Sequence, residues 1–83
     1  MVLESRIEKS VKKDVEKRGG LCWKFVSPGT KGVPDRIALL PGGAIEFIET
    51  KAPGRKLSPL QEKRKRQLEG LGFTYRVVDS LDF

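Results

Sequence analysis

The sequence predicts a single α/β unit with the element order α-β-β-β-α-β. Three features predict it. Apolar residues recur every fourth position near the N-terminus, short β-rich runs alternate with Gly/Pro turns in the middle, and a Ser-Pro-Leu-Gln helix start precedes one last β-branched run. Eighty-three residues suit one compact unit, expected to fill 1–83. A chain this short buries only about 60% of the surface its unfolded form exposes, so a partner copy covering apolar residues such as Leu3, Trp23 and Phe83 is a natural source of extra stability.

Each element has a local reason. Ile7, Val11 and Val15, with Leu3 upstream, form one stripe and predict a helix over 5–18, which Gly19-Gly20 ends. Leu-Cys-Trp-Lys-Phe-Val at 21–26 is aromatic and apolar and predicts a strand, followed by the turn-rich segment 27–32. Strands at 35–40 and 44–51 flank Pro41-Gly42-Gly43, a connection short enough for an antiparallel hairpin. Ala52-Pro53-Gly54 ends the third strand. Ser58, Pro59 and Gln61 then supply an N-cap, a first-turn proline and a capping-box partner for a second helix, which should end between Gly70 and Gly72. Tyr75-Arg76-Val77-Val78 predicts the last strand.

Two absences narrow the chemistry. The sequence has no histidine and a single cysteine, Cys22, which excludes Ser-His-Asp and Cys-His nucleophilic mechanisms, Cys/His zinc sites and an internal disulfide. Cys22 lies in an apolar run and reads as a buried structural thiol. Catalysis, if present, must run on carboxylates, lysine or a hard metal held by oxygen. Gly29 to Gly32 lacks the G-x-x-x-x-G-K-[ST] order of a phosphate-binding loop, so no nucleotide cofactor is expected; the segment reads as a turn near the site or a DNA backbone. No apolar run approaches the roughly 18 residues of a membrane span, and the N-terminus has no apolar leader core. The expectation is a soluble, intracellular protein without a membrane partner.

The net charge of +6 arises entirely from residues 51–66, where seven cations face one anion, Glu62. Charge confined to one loop and one helix reads as a polyanion footprint formed by Arg55, Lys56, Lys63, Arg64 and Arg66, with Lys31 in the preceding turn. The bland alternative is a solvated helix face.

Glu49 and Lys51 are two residues apart in a strand, so their side chains leave the same face. If the second and third strands pair about the 41–43 turn, Asp35 comes opposite them. Two carboxylates held this close repel unless a cation lies between them, which is a common way to build a magnesium site. Lys51 could then orient a water or stabilise charge on phosphorus. A cross-strand salt bridge is the plain alternative for the same three residues.

These residues, taken together, resemble the PD-(D/E)XK nuclease superfamily, most closely its virus-type replication-repair nuclease (VRR-NUC) family in the small stand-alone form found in phages. The resemblance runs through Ile7-Glu8, Gly19-Gly20, Lys24 to Gly29, Gly32-Val33-Pro34-Asp35-Arg36, Glu49-Thr50-Lys51-Ala52-Pro53-Gly54 and Leu57-Ser58-Pro59-Leu60-Gln61. It implies a restriction-endonuclease-like fold, a mixed sheet flanked by helices. It also implies Asp35 and Glu49 as metal-binding acids for Mg2+ or Mn2+, the Thr50 carbonyl as a further ligand, and Lys51 as catalytic lysine. Glu8 matches the helix acid of the similar archaeal Holliday-junction resolvases, with Glu4 one turn earlier as the alternative. Ser5 and Glu8 also have capping-box spacing, and Gln61 divides between a cap on Ser58 and a role facing the site. The implied activity is metal-dependent cleavage of DNA, branched DNA such as four-way junctions in particular, by a homodimer in phage-infected or bacterial cytoplasm. Two other readings use the same residues: a double-stranded RNA-binding module working through the basic 51–66 segment, and a catalytically dead structural subunit.

Overall fold

The computed structural model of the chain describes residues 2–82. Helix α1 covers Glu4–Lys17, strands β1 to β3 cover Leu21–Lys24, Arg36–Leu39 and Ile45–Thr50, helix α2 covers Pro59–Gly70 and strand β4 covers Thr74–Val78. The predicted order therefore holds. The sheet runs β1-β2-β3-β4, with antiparallel pairs β1–β2 and β2–β3 and a parallel pair β3–β4. The parallel step is the work of α2, because a helical crossover carries the chain back to the starting end of β3 before β4 begins.

Strand β1 is two residues shorter than the sequence predicts. The β1–β2 register pairs Lys24 with Arg36, which sets Val26 against Pro34, and Pro34 has no N–H to continue the ladder. Pairing persists for one more step, as the Phe25 N–H donates to the Asp35 carbonyl at 2.8 Å. Gly19, at φ +82, takes the left-handed conformation that ends α1.

One face of the sheet carries the core. Ile7, Val11 and Val15 of α1 are fully buried against Cys22, Ala38, Ile48 and Val78, one inward residue from each strand. Burial raises the Cys22 thiol above its ordinary pKa, as suits a structural residue. Arg18 closes the end of this layer with two hydrogen bonds to Glu46, at 3.0 and 3.3 Å. Arg76 lies 3.7 Å from Glu46 and 3.9 Å from Asp14, so α1, β3 and β4 share one ionic network.

The other face is less well covered. No residue of α2 is fully buried. Phe47 sits between Phe25, tilted to it at a centroid distance of 5.8 Å, and Phe73, edge-to-face at 5.3 Å, and an open groove of about 570 Å3 runs from Phe25 and Phe47 to Leu68 and Leu71. Beyond α2, Leu21 and Trp23 of edge strand β1 remain 53% and 56% exposed. Leu3 is likewise exposed; Phe83, expected to share in an apolar surface, lies outside the described residues. Among the described residues no helix is long and apolar enough to cross a membrane.

Candidate active site

The site forms where β2 stops before β3 does. The register Arg36 to Ile48 sets Asp35 against Glu49 and Pro34 against Thr50. Opposite Thr50 the partner strand has reached proline, and the Thr50 N–H is met by a side chain: it donates to Asp35 Oδ2 at 3.0 Å. The Thr50 hydroxyl lies 2.9 Å from the same oxygen and 3.3 Å from Glu8 Oε1. Its single proton serves one acceptor at a time, and the shorter bond is to Asp35. Thr50 is wholly buried.

Glu49 is 2% exposed. Its Oε2 accepts from Gln61 Nε2 at 3.3 Å and lies 4.0 Å from Lys51 Nζ. Its Oε1 is buried and has no hydrogen-bond partner. Burial foremost, and then the neighbouring Asp35 carboxylate, push the Glu49 carboxyl up to about 8 against a weaker opposing pull from Lys51. Tyr75, whose hydroxyl is also buried without a partner, is pushed upward by the same burial, with Glu49 as the next cause.

The sheet end is approached from both sides. Glu8 comes from α1 on the core face, pairing with Arg36 at 3.9 Å as well as with Thr50. Gln61 comes from α2 on the opposite face. The capping-box alternative for Glu8 is not realised, because the N-cap of α1 is Leu3 and carries no side-chain cap. Ser5 lies inside the helix, which frees Glu8 to face the strand. Gln61 fills both of the roles weighed for it, which sequence reasoning treated as exclusive: its Oε1 accepts from the Ser58 N–H at 2.9 Å while its Nε2 reaches Glu49. Ser58 Oγ accepts from the Gln61 N–H at 3.2 Å, which completes the box.

The donor set suits a hard divalent cation in one respect and limits it in another. A buried carboxylate oxygen without a donor, beside a second carboxylate, is the kind of atom such a cation ligates. Among the described residues, however, no three acids gather closely enough to hold a metal by side chains alone. Asp35 and Glu49 are the two acids that the strand register brings together here. Glu8, which the resemblance implies as a further metal-binding acid, lies 3.3 Å from the Thr50 hydroxyl and 3.9 Å from Arg36.

The basic segment divides. Arg55, Lys56, Lys63 and Arg66 are exposed. Arg64 is half-buried, donating to the Lys31 carbonyl at 2.8 Å and to Gln67 Oε1 at 2.9 Å, so it ties α2 to the 27–32 turn. Lys65 pairs with Glu69 at 3.9 Å. The turn passes against α2 at Gly32, where φ is +81 and a Cβ would come within 2.6 Å of Leu60 Cγ. Sequence reasoning missed the Thr50 hydroxyl and Arg36; a hydroxyl between an acid and a lysine of one strand was the available signal for the first.

Known proteins bear on this arrangement. Residues 3–82 match the VRR-NUC domain. The chain is 48% identical to "Putative nuclease p44" of Acyrthosiphon pisum secondary endosymbiont phage 1, over 99% of this chain and 88% of that protein. It superimposes on a solved VRR-NUC domain with a TM-score of 0.89 at 34% identity, over 94% of this chain and 85% of the other. The segments of the resemblance, the fold and these matches agree: the chain belongs to the VRR-NUC family of nuclease domains.

Proposed function

We propose that this chain is a Mg2+- or Mn2+-dependent DNA endonuclease of the PD-(D/E)XK type. The observation that carries the reading is the buried, unpartnered Glu49 Oε1 beside Asp35, with Lys51 at the rim of the same site. A cation held by Asp35, Glu49 and the Thr50 carbonyl would neutralise charge on the scissile phosphate. Thr50 holds one Asp35 oxygen through two donors and so leaves the other for the cation. Gln61 orients Glu49, Lys51 sets its ammonium beside the phosphate, and Glu8 stands behind the Thr50 hydroxyl with Arg36 as its counter-charge. Lys31, Arg55, Lys56, Lys63 and Arg66 meet the DNA backbone, with Arg64 anchoring the helix that carries two of them.

The same reading extends to a homodimer acting on branched DNA in phage-infected or bacterial cytoplasm. Leu21 and Trp23 on the uncovered sheet face support the dimer, and two sites related by a two-fold axis suit a four-way junction. Cleavage of plasmid and four-way-junction DNA by wild type, Asp35→Ala, Glu49→Ala and Lys51→Ala tests the reading. Wild type cuts with Mg2+ or Mn2+ and stops in excess chelator, and each variant binds DNA without cutting it. Undiminished cutting by any variant overturns the site. A wild type that binds without cutting returns the chain to the binding-module or structural-subunit reading. Light scattering at about twice 9.3 kDa is the expected result for the dimer.

A further inference from the structure

A cavity of about 230 Å3 adjoins the acid site, lined by Glu4, Lys51, Ala52, Arg55 and Lys56. Three cations and one carboxylate leave it with a balance of +2. Its shape comes from a tight turn: the Arg55 N–H donates to the Ala52 carbonyl at 3.0 Å and Gly54 sits at φ +81, so the chain folds back and sets Lys51, Arg55 and Lys56 around one hollow. Neither Arg55 nor Lys56 forms an ion pair among the described residues. Lys51 borders both compartments, with its Nζ 4.0 Å from Glu49 Oε2 and its side chain in the cavity wall. Unpaired cations drawn together in a concave site are the usual recognition chemistry for phosphate, and an arginine adds a two-pronged donor.

We infer that this cavity is a second phosphate site, which holds the backbone phosphodiester next to the scissile one on the same strand; the inference rests on the nuclease reading above for its substrate. Phosphates of one strand recur about every 3.4 Å along the duplex axis, so a phosphate at Glu49 and Asp35 brings its neighbour within reach of a cavity that shares Lys51. Glu4 tempers the site: its carboxylate opposes any anion there.

The probe is thymidine 3′,5′-bisphosphate, titrated without divalent metal by calorimetry, with melting curves confirming that each variant folds. Charge-assisted bonds of this kind correspond to roughly 10-fold in affinity or more, so Arg55→Ala/Lys56→Ala weakens the probe by at least that factor. Glu4→Gln tightens it, and Lys12→Ala, a cation on the Cys22 side of α1, leaves it unchanged. Equal affinity in wild type and the double variant overturns the site. A second arm uses duplexes in which one phosphate beside the cut is a neutral methylphosphonate. That change raises KM for wild type and leaves the double variant indifferent; a double variant as sensitive as wild type overturns the assignment, and so does an effect confined to a terminal phosphate. If nothing is cut while the bisphosphate pattern holds, the nuclease reading fails and the phosphate site stands.

Discussion

Gln61 donates its side-chain N–H to Glu49 at 3.3 Å while its other amide atom accepts from the Ser58 N–H at 2.9 Å. One planar group therefore joins the start of α2 to the acid at the end of β3, and the helix cap sets the orientation of the bond that Glu49 receives. Structure and site are coupled through a residue whose removal affects both.

Two substitutions separate those effects. Gln61→Glu keeps the capping acceptor but replaces the donor facing Glu49 with a negative charge, so stability stays within about 1 kcal/mol of wild type while kcat falls by about 10-fold, the worth of a weak bond to a charged group. Ser58→Ala costs about 1 kcal/mol of stability through the missing cap and leaves kcat near wild type below the melting transition, since the Ser58 backbone donor remains. Thermal melts alongside single-turnover rates check the pair; a Gln61→Glu enzyme with full kcat removes Gln61 from the site.

Thr50 is the second point of coupling. Thr50→Val keeps the shape but leaves Asp35 Oδ2 with the backbone donor alone, and is expected to destabilise by about 1–2 kcal/mol and to weaken Mn2+ binding measured without DNA. Thr50→Ser restores both, because it returns the hydroxyl. Equal metal affinity in the valine and serine variants would show the hydroxyl to be packing only.

For the basic segment the expected readout is salt dependence. Removing Lys63 or Arg66 lowers the slope of log affinity against log salt on duplex DNA by about 0.9 for each phosphate that the side chain had neutralised. Arg64→Ala acts mainly on stability, because it releases the Lys31 carbonyl and Gln67. An unchanged slope in Lys63→Ala/Arg66→Ala would make the run a solvated face.

Acid should loosen the end of α1. The two hydrogen bonds from Arg18 hold the Glu46 carboxyl below its ordinary value of 4.5. A depressed folded-state pKa gives stability that is present above the unfolded value and lost as pH falls through the folded one. From about pH 4.5 downward the pair's contribution, on the order of 1 kcal/mol, is progressively lost, and Glu46→Gln removes that part of the acid sensitivity. Chemical denaturation at pH 3 to 6 compares the two proteins.

Much of this was legible because it is local. The period of Ile7, Val11 and Val15, the Pro41-Gly42-Gly43 connection and the Ser58–Gln61 cap each act within a few residues, so the sequence by itself determined the six elements and their order, and the hairpin brought Asp35 opposite Glu49. The tertiary structure decided what depends on two elements meeting. Pro34 ended β1 early from across the sheet, through a missing N–H that β1's own residues do not reveal. Thr50 became the link between Asp35 and Glu8 only once β3 outran β2 and α1 crossed the sheet. Arg64 turned from the basic run to the carbonyl of Lys31, 33 residues away in sequence. Spacing along a chain predicts which side chains share a face; which donors find acceptors there is settled by the elements that arrive from elsewhere.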